Sequence, residues 1–384
     1  MTRTKLSLTL LAALVCGCAS KEKPQRVIAP IAPGSFEVSW SADTGVTSPY
    51  ALYQAGNLLF VYGKNNLVSV FDVNGGLKFR TTIGENGDVL GPPVLTSDEI
   101  IFPTSATLER YTRGGGKIKS TKLPQPMRSP AVREGESLYV ATDTDTGGRV
   151  AKVRLNVEYN FYEWTVTTGI VTTKPLLWDG AIYAATEDGV VKGINPEGSK
   201  LWAAAPEMSD GFFHTDGKIV APLVGDESGI YVASTDTKLY CLAPNTGRVR
   251  WQYYAGARLT TPPTVTADFA YQFVEGQGIV ALAKKPGEPI NTPKWTFADG
   301  KQVIADDANY AYVITDNNAV AAVNKADGTL AFTSQRADLS KTVLSPDAKN
   351  PTVFGLTKGN QLICIKPVLR PGVVGELAML TELP

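Results

Sequence analysis

The sequence predicts an all-β fold, an eight-bladed β-propeller of four-stranded blades closed by an N-terminal strand that completes the last blade. Three observations lead there. A short strand-like segment with an aromatic residue at its third position recurs eight times, at Phe60, Phe102, Tyr139, Tyr183, Tyr231, Tyr271, Tyr312 and Phe354, with a mean step of 42 residues. Each segment is followed by a turn glycine and, four positions later in the regular copies, a large aromatic: Gly75 with Phe79, Gly198 with Trp202, Gly247 with Trp251, Gly328 with Phe332. A closing strand around Trp40 has no blade before it, whereas the eighth unit runs out after Ile365 with no aromatic beyond Phe354. Joining these two loose ends hides the edges that an open ring would expose.

Composition agrees with a turn-rich globular chain. The 384 residues include 36 glycines and 25 prolines, with 43% hydrophobic and 19% charged residues, which excludes a coiled coil and a mostly disordered chain. Thirty-seven Lys and Arg residues are offset by 37 Asp and Glu, so no nucleic-acid partner is expected. Histidine occurs once, at His214, in the longest step of the repeat, where it reads as a surface-loop residue. Multi-histidine metal sites and most nucleophile–histidine arrangements therefore lack residues.

Taken in order, residues 1–17 read as a signal peptide. Arg3 and Lys5 precede an apolar stretch from Leu6 to Val15, long enough for a signal core and too short to span a bilayer. Its end, Val15, Cys16, Gly17, Cys18, resembles the bacterial lipobox, and that resemblance makes Cys18 the lipidated first residue of the mature chain. Acyl chains there would anchor it stably, since each buried methylene contributes about 0.8 kcal/mol. Ala19, where an aspartate would retain such a lipoprotein at the inner membrane, implies an outer-membrane location with the body facing the periplasm. Residues 18–35 form a flexible tether.

The ring takes residues 36–367, 41.5 per blade, as one domain, and residues 368–384 form a C-terminal tail. Blade two keeps a turn glycine at Gly116 but places Ser120 at the aromatic position, while blades three and six reach Trp164 and Trp295 through longer turns. Trp40, Trp164, Trp202, Trp251 and Trp295 thus share one structural position, where packing between sheets is their expected role. A helical repeat of this length would show apolar residues at 3.6 spacing over ten or more positions, and no such stretch lies between the landmarks.

Residues 241–251, with 192–202 and 322–332, resemble the tryptophan-docking repeat of pyrroloquinoline-quinone-type propellers. Two branches of that group differ in function. Quinoprotein dehydrogenases are larger, with a Ca²⁺ ion beside the quinone, a catalytic aspartate and often an adjacent cysteine pair. The BamB lipoprotein family is eight-bladed, non-catalytic and part of the outer-membrane β-barrel assembly machinery. The lipobox, the chain length and the absence of an extra domain resemble the second branch, which implies a protein scaffold without a cofactor, membrane-attached through its lipid. A quinone-cofactor or small-ligand-binding propeller stays open as the alternative. The acidic pairs Asp143 with Asp145 and Asp306 with Asp307 read as solvated turns rather than as calcium ligands. Cys241 and Cys364 occupy one repeat position three blades apart, shared with Ser69, Lys192 and Ala322, too distant to form a disulfide.

A scaffold of this kind acts through segments that depart from the repeat. Blade three carries Tyr159, Phe161 and Tyr162 in place of a tight turn. Between blades four and five runs 208–214, with Met208, Phe212 and Phe213, and before blade six come Arg258 and Leu259. Aromatics and arginine are the types that anchor interfaces. The aromatics of blade three could equally fold back on their own sheet. In the BamB family, loops between successive blades on one face contact the barrel-assembly outer-membrane protein. By order along the chain these correspond to the segments around Ile170, 208–214, and Arg258 with Leu259, a correspondence of location only.

Overall fold

Each repeat folds as an antiparallel four-stranded sheet. In blade five the strands are Val224–Asp226, Gly229–Ala233, Lys238–Leu242 and Val249–Tyr254, running outward from the ring axis. Its second strand is buried at every position, because neighbouring blades cover both faces, whereas the outer strand is mostly exposed. The computed structural model describes residues 35–84, 89, 91–135, 137–145, 147–155, 161–204, 206, 208–284, 292–334, 338–343 and 351–368. The signal segment, Cys18, the tether apart from Ser35, Tyr159 and residues 369–384 lie outside these.

Eight such sheets form the ring, and seven of them follow chain order. The eighth takes its outer strand from the opposite end of the chain: Ser35–Asp43 pairs antiparallel with Gln361–Val368, setting Trp40 across from Cys364 and Asp43 across from Gln361. Ser35, the last residue of the expected tether, already belongs to this strand. Outer strands remain open to solvent along one edge. In blade two that strand is Lys117–Lys122, and its three lysines disfavour pairing with another chain.

The core consists of eight apolar layers, one between each pair of neighbouring sheets. In seven blades the repeat aromatic points at the next blade, as Tyr183 does toward Ile230 and Val232. Blade two departs from the expected register by one residue. There Ile101 faces blade three, and Phe102 turns back onto blade one, edge-on to Phe60 with centroids 6.0 Å apart. A one-residue shift reverses the face of every side chain in a strand, and three consecutive buried apolar residues hid the shift in the sequence. The same offset moves the turn glycine of blade two from Gly116 to Gly115, and the aromatic position from Ser120 to Lys119. Register also replaces Ser69 and Lys192 by Val70 and Gly193 at the position of Cys241, whereas Ala322 does share it. Cys241 and Cys364 are buried free thiols.

Adjacent blades are joined by one repeated contact. Trp40, Phe79, Trp164, Trp202 and Trp295 each lie on the turn glycine of the following blade, respectively Gly75, Gly115, Gly198, Gly247 and Gly328. All five glycines have φ between +71° and +88°, and a Cβ on any of them would come within 2.8 Å of the aromatic ring or its Cβ. The indoles also donate hydrogen bonds to turn carbonyls: Trp40 to Val73 at 3.2 Å, Trp164 to Pro196 at 2.9 Å, Trp202 to Pro244 at 2.6 Å and Trp295 to Lys325 at 2.9 Å. Each ring therefore buries apolar surface while its single polar hydrogen is satisfied.

Asp306 is not the solvated turn residue expected. It is 5% exposed, 3.0 Å from the Lys325 ammonium, and accepts hydrogen bonds from Thr266 at 2.8 Å and Tyr271 at 3.2 Å. Lys325 also reaches Asp268 at 3.2 Å, so this network ties blade six to blade seven.

Candidate functional site

Antiparallel alternation gives the ring two unlike ends. Turns between first and second strands, and the docking turns between third and outer strands, share one end. Inter-blade links and the turns between second and third strands share the other. At this second end a recurring hydrogen bond pins six of the eight links to the blade each enters: Lys64 N–H to Thr47 O, Asp143 to Pro126, Glu187 to Ile170, Thr235 to Lys218, Asp316 to Asp299 and Lys358 to Asp338, at 2.8–3.3 Å. The links are thereby held as rigid presentation loops, the condition under which loop side chains can form a defined surface.

Ile170 stands on the link into blade four with its side chain outward, 37% exposed. Segment 208–214 belongs to blade four, whose outer strand is reduced to Phe213–His214 paired with Val190 and Val191. His214 is thus an exposed strand residue, not a loop residue. Met208 and Phe213 are 3% and 7% exposed and pack in the layer between blades four and five, where Phe213 sits edge-on to Tyr240 at 5.1 Å. Phe212 points the other way. Half-buried, it carries the ammonium groups of Lys192 and Lys200 at 4.3 and 4.7 Å from its ring centroid. Asp210 closes the arrangement, accepting the Phe212 N–H at 3.0 Å and lying 2.8 Å from His214 Nε2. Desolvation pushes the Asp210 carboxyl up, but the hydrogen bonds from His214 and the Phe212 N–H outweigh it and hold it below its ordinary value of 3.8. Arg258 is exposed on the link into blade six, while Leu259 beside it is fully buried.

The aromatics of blade three behave differently. Phe161 and Tyr162 fold back, half-buried, on the layer between blades two and three, edge-on to each other at 5.6 Å, and Tyr162 donates its hydroxyl to Gln125 at 3.2 Å. They lie at the docking-turn end, away from Ile170 and Arg258. Of the sequence-selected residues, Ile170, Phe212 and Arg258 are therefore open to a partner, whereas Met208, Phe213 and Leu259 are core. Lys192, Lys200 and Asp210 were not legible as members of this surface. They reach Phe212 only because blade four abandons the regular outer strand, a change that leaves no local signature beyond the long step.

Among the described residues no group of three or more His, Cys, Asp or Glu side chains is placed to hold a metal ion. Lysine ammoniums neutralise the aspartates at the docking-turn end instead, Lys284 with Asp226 and Lys325 with Asp306 and Asp268.

Comparison with known proteins centres on one part of the ring. A family model described as outer membrane protein assembly factor BamB matches residues 187–307. BamB of Escherichia coli is 32% identical over 91 residues, 23% of either chain, and BamB of Salmonella typhimurium is 28% identical over 94 residues, 24% of either chain. The matched segments thus span about a quarter of the length of these curated relatives. The crystal structure of BamB from Moraxella catarrhalis superposes with a TM-score of 0.64 at 15% identity, covering 86% of this chain and 97% of that one. A computationally designed protein, Ika8, gives 0.60 at 12% identity over 86% of this chain and 98% of its own. At such identities the structural likeness concerns the fold alone. The chain is thus an eight-bladed propeller, with tryptophan docked on a turn glycine at four of the described blade junctions, and is similar in sequence to BamB within residues 187–307.

Proposed function

We propose that this protein is a non-catalytic scaffold in outer-membrane protein assembly, anchored in the outer membrane through a lipid on Cys18 and facing the periplasm. One observation carries the reading: the sequence likeness to BamB falls on residues 187–307, the stretch that contains both 208–214 and Arg258. The partner is a barrel-assembly outer-membrane protein, and it meets the link end of blades three to six. Ile170, Phe212 and Arg258 supply the contact chemistry: an exposed aliphatic, a half-buried ring flanked by two ammoniums and a guanidinium, with Ile170 and Arg258 on links held by backbone hydrogen bonds, Glu187 N–H to Ile170 O and Leu259 N–H to Ser234 O. Pre-ordered loops lose little entropy on binding. No cofactor is required for this role.

Affinity capture from native membranes tests the proposal. The wild-type chain should retain the barrel-assembly protein, and a chain carrying Phe212→Ala with Arg258→Glu should lose it while keeping its thermal transition. Full retention by the folded double variant would place the partner elsewhere, and turnover of an alcohol or sugar by the purified chain would overturn the scaffold reading.

A further inference from the structure

Blades one and two concentrate positive charge on the outer wall of the ring. Their outer strands, Leu77–Thr82 and Lys117–Lys122, carry Lys78, Arg80, Lys117, Lys119 and Lys122 and no carboxylate. Among the described residues, the outer strands of the six other blades together hold one Lys or Arg, Arg250, beside Glu37, Asp43 and Glu163. The whole chain has no net charge, so the accumulation is local. Protection of an open edge does not account for it, because Trp295–Phe297 and Leu330–Thr333 are outer strands too and carry no charge.

The two basic strands are neighbours, joined where Phe79 of blade one lies on Gly115 of blade two. Lys117 and Lys122 stand across from Tyr111 and Thr107, on the face of blade two that looks toward blade one, and so flank this seam. All five cations are exposed. Carboxylates neutralise two of them, Lys78 by Asp72 at 2.9 Å and Lys117 by Glu109 at 3.1 Å, while Arg80 Nε donates to the neutral Ser69 hydroxyl at 3.0 Å. The wall therefore keeps a net positive charge. Leu77 and Ile118, 46% and 47% exposed, stand among the cations. Aliphatic side chains set among Lys and Arg suit a bilayer surface, where phosphates meet the cations and the apolar groups enter the headgroup layer.

The point at which the chain enters the ring favours the same partner. Ser35 opens the outer strand of blade eight, and Trp40 in that strand docks on Gly75 of blade one. The segment from Cys18 thus joins the ring one blade away from the basic wall. This part of the argument rests on the lipid proposed at Cys18, whereas the charge distribution does not.

We propose that the outer wall of blades one and two lies on the anionic phospholipid surface of the membrane that holds the chain. Blades five and six, halfway round the ring, then stay clear of the bilayer, which leaves the link end of blades three to six open to a protein partner.

Photocrosslinking of the full-length chain in phospholipid vesicles tests this. A photoreactive residue is placed at Ile118, or at Val249 on the far wall, which is similarly exposed at 44%. In vesicles of phosphatidylcholine with phosphatidylglycerol, lipid adducts at Ile118 should exceed those at Val249 by at least about fivefold, roughly the gain from one cation near an anionic bilayer. In phosphatidylcholine alone, or at high salt, labelling at Ile118 should fall to the level at Val249. Lys119→Glu with Lys122→Glu should have the same effect without altering the thermal transition. Equal labelling of the two sites in anionic vesicles, or labelling at Ile118 indifferent to salt and charge reversal, would overturn the assignment. An acidic protein in place of lipid as the adduct at Ile118 in native membranes would overturn it too. Intact mass reports the acyl chains on Cys18 separately, and partner capture is read at the link end, so failure of either of those readings is distinct from failure of this one.

Discussion

Trp202 of blade four donates its indole N–H to the carbonyl oxygen of Pro244 in blade five, 2.6 Å away, with its ring against Gly247. This contact is the unit from which the ring is built. It explains why glycine and tryptophan recur as a pair in the sequence although they meet across a blade boundary rather than within one blade.

Trp202 is 1% exposed, so Trp202→Ala should destabilise the ring by about 3–5 kcal/mol, the range for deleting a buried aromatic. Gly247→Val should also be costly: the glycine has φ +71°, and its Cβ would lie 2.6 Å from the Trp202 ring. Chemical denaturation measures both. A Gly247→Val variant as stable as wild type would contradict the docking geometry.

Removing residues 1–43 deletes the outer strand of blade eight and takes Trp40 away from Gly75 and Val73. Two edges open at once. The truncated chain should melt far below the intact one and associate on concentration, as light scattering would show; an unaltered monomer would mean that closure contributes little.

Burial and exposure divide the partner-site residues into two experimental classes. Met208→Ala, Phe213→Ala and Leu259→Ala should each cost about 2–5 kcal/mol of stability, because their side chains lie in the core. Ile170→Ala and Arg258→Glu should change stability by less than about 0.5 kcal/mol. Partner affinity should nevertheless fall by about 1–4 kcal/mol where the residue is a hot spot. Melting curves alongside capture assays separate the two effects.

Alkaline pH should unfold the ring cooperatively. Burial raises the Tyr183 phenol from 10.0 to about 12, assisted by the nearby Asp179, and it also raises Tyr231, Tyr271 and Tyr312. In this window the folded chain holds protons that the unfolded chain releases, so stability falls as pH rises from about 10 and is undiminished below that. Phenolate absorbance should therefore show these buried rings ionising only together with loss of β-sheet circular dichroism. Smooth titration of all 15 tyrosines with an intact sheet signal would refute this.

Lipidation is tested at Cys18. Cys18→Ser should abolish incorporation of a palmitate analogue and release the chain from the outer-membrane fraction. Undiminished labelling of that variant would exclude Cys18 as the acylated residue.

The sequence by itself determined the blade number, the four-stranded repeat and the closing role of Trp40. These depend on residue types recurring along the chain: buried aromatics in the second strands and glycines at positive φ beneath the docking rings. Only the tertiary structure decided what each irregular segment exposes. The register of blade two turned Phe102 toward blade one because Ile100, Ile101 and Phe102 are all apolar and buried, so hydrophobicity alone could not choose the face. Adjacent residues took opposite fates in Phe212 and Phe213, and in Arg258 and Leu259, since each pair straddles a surface drawn by neighbouring blades.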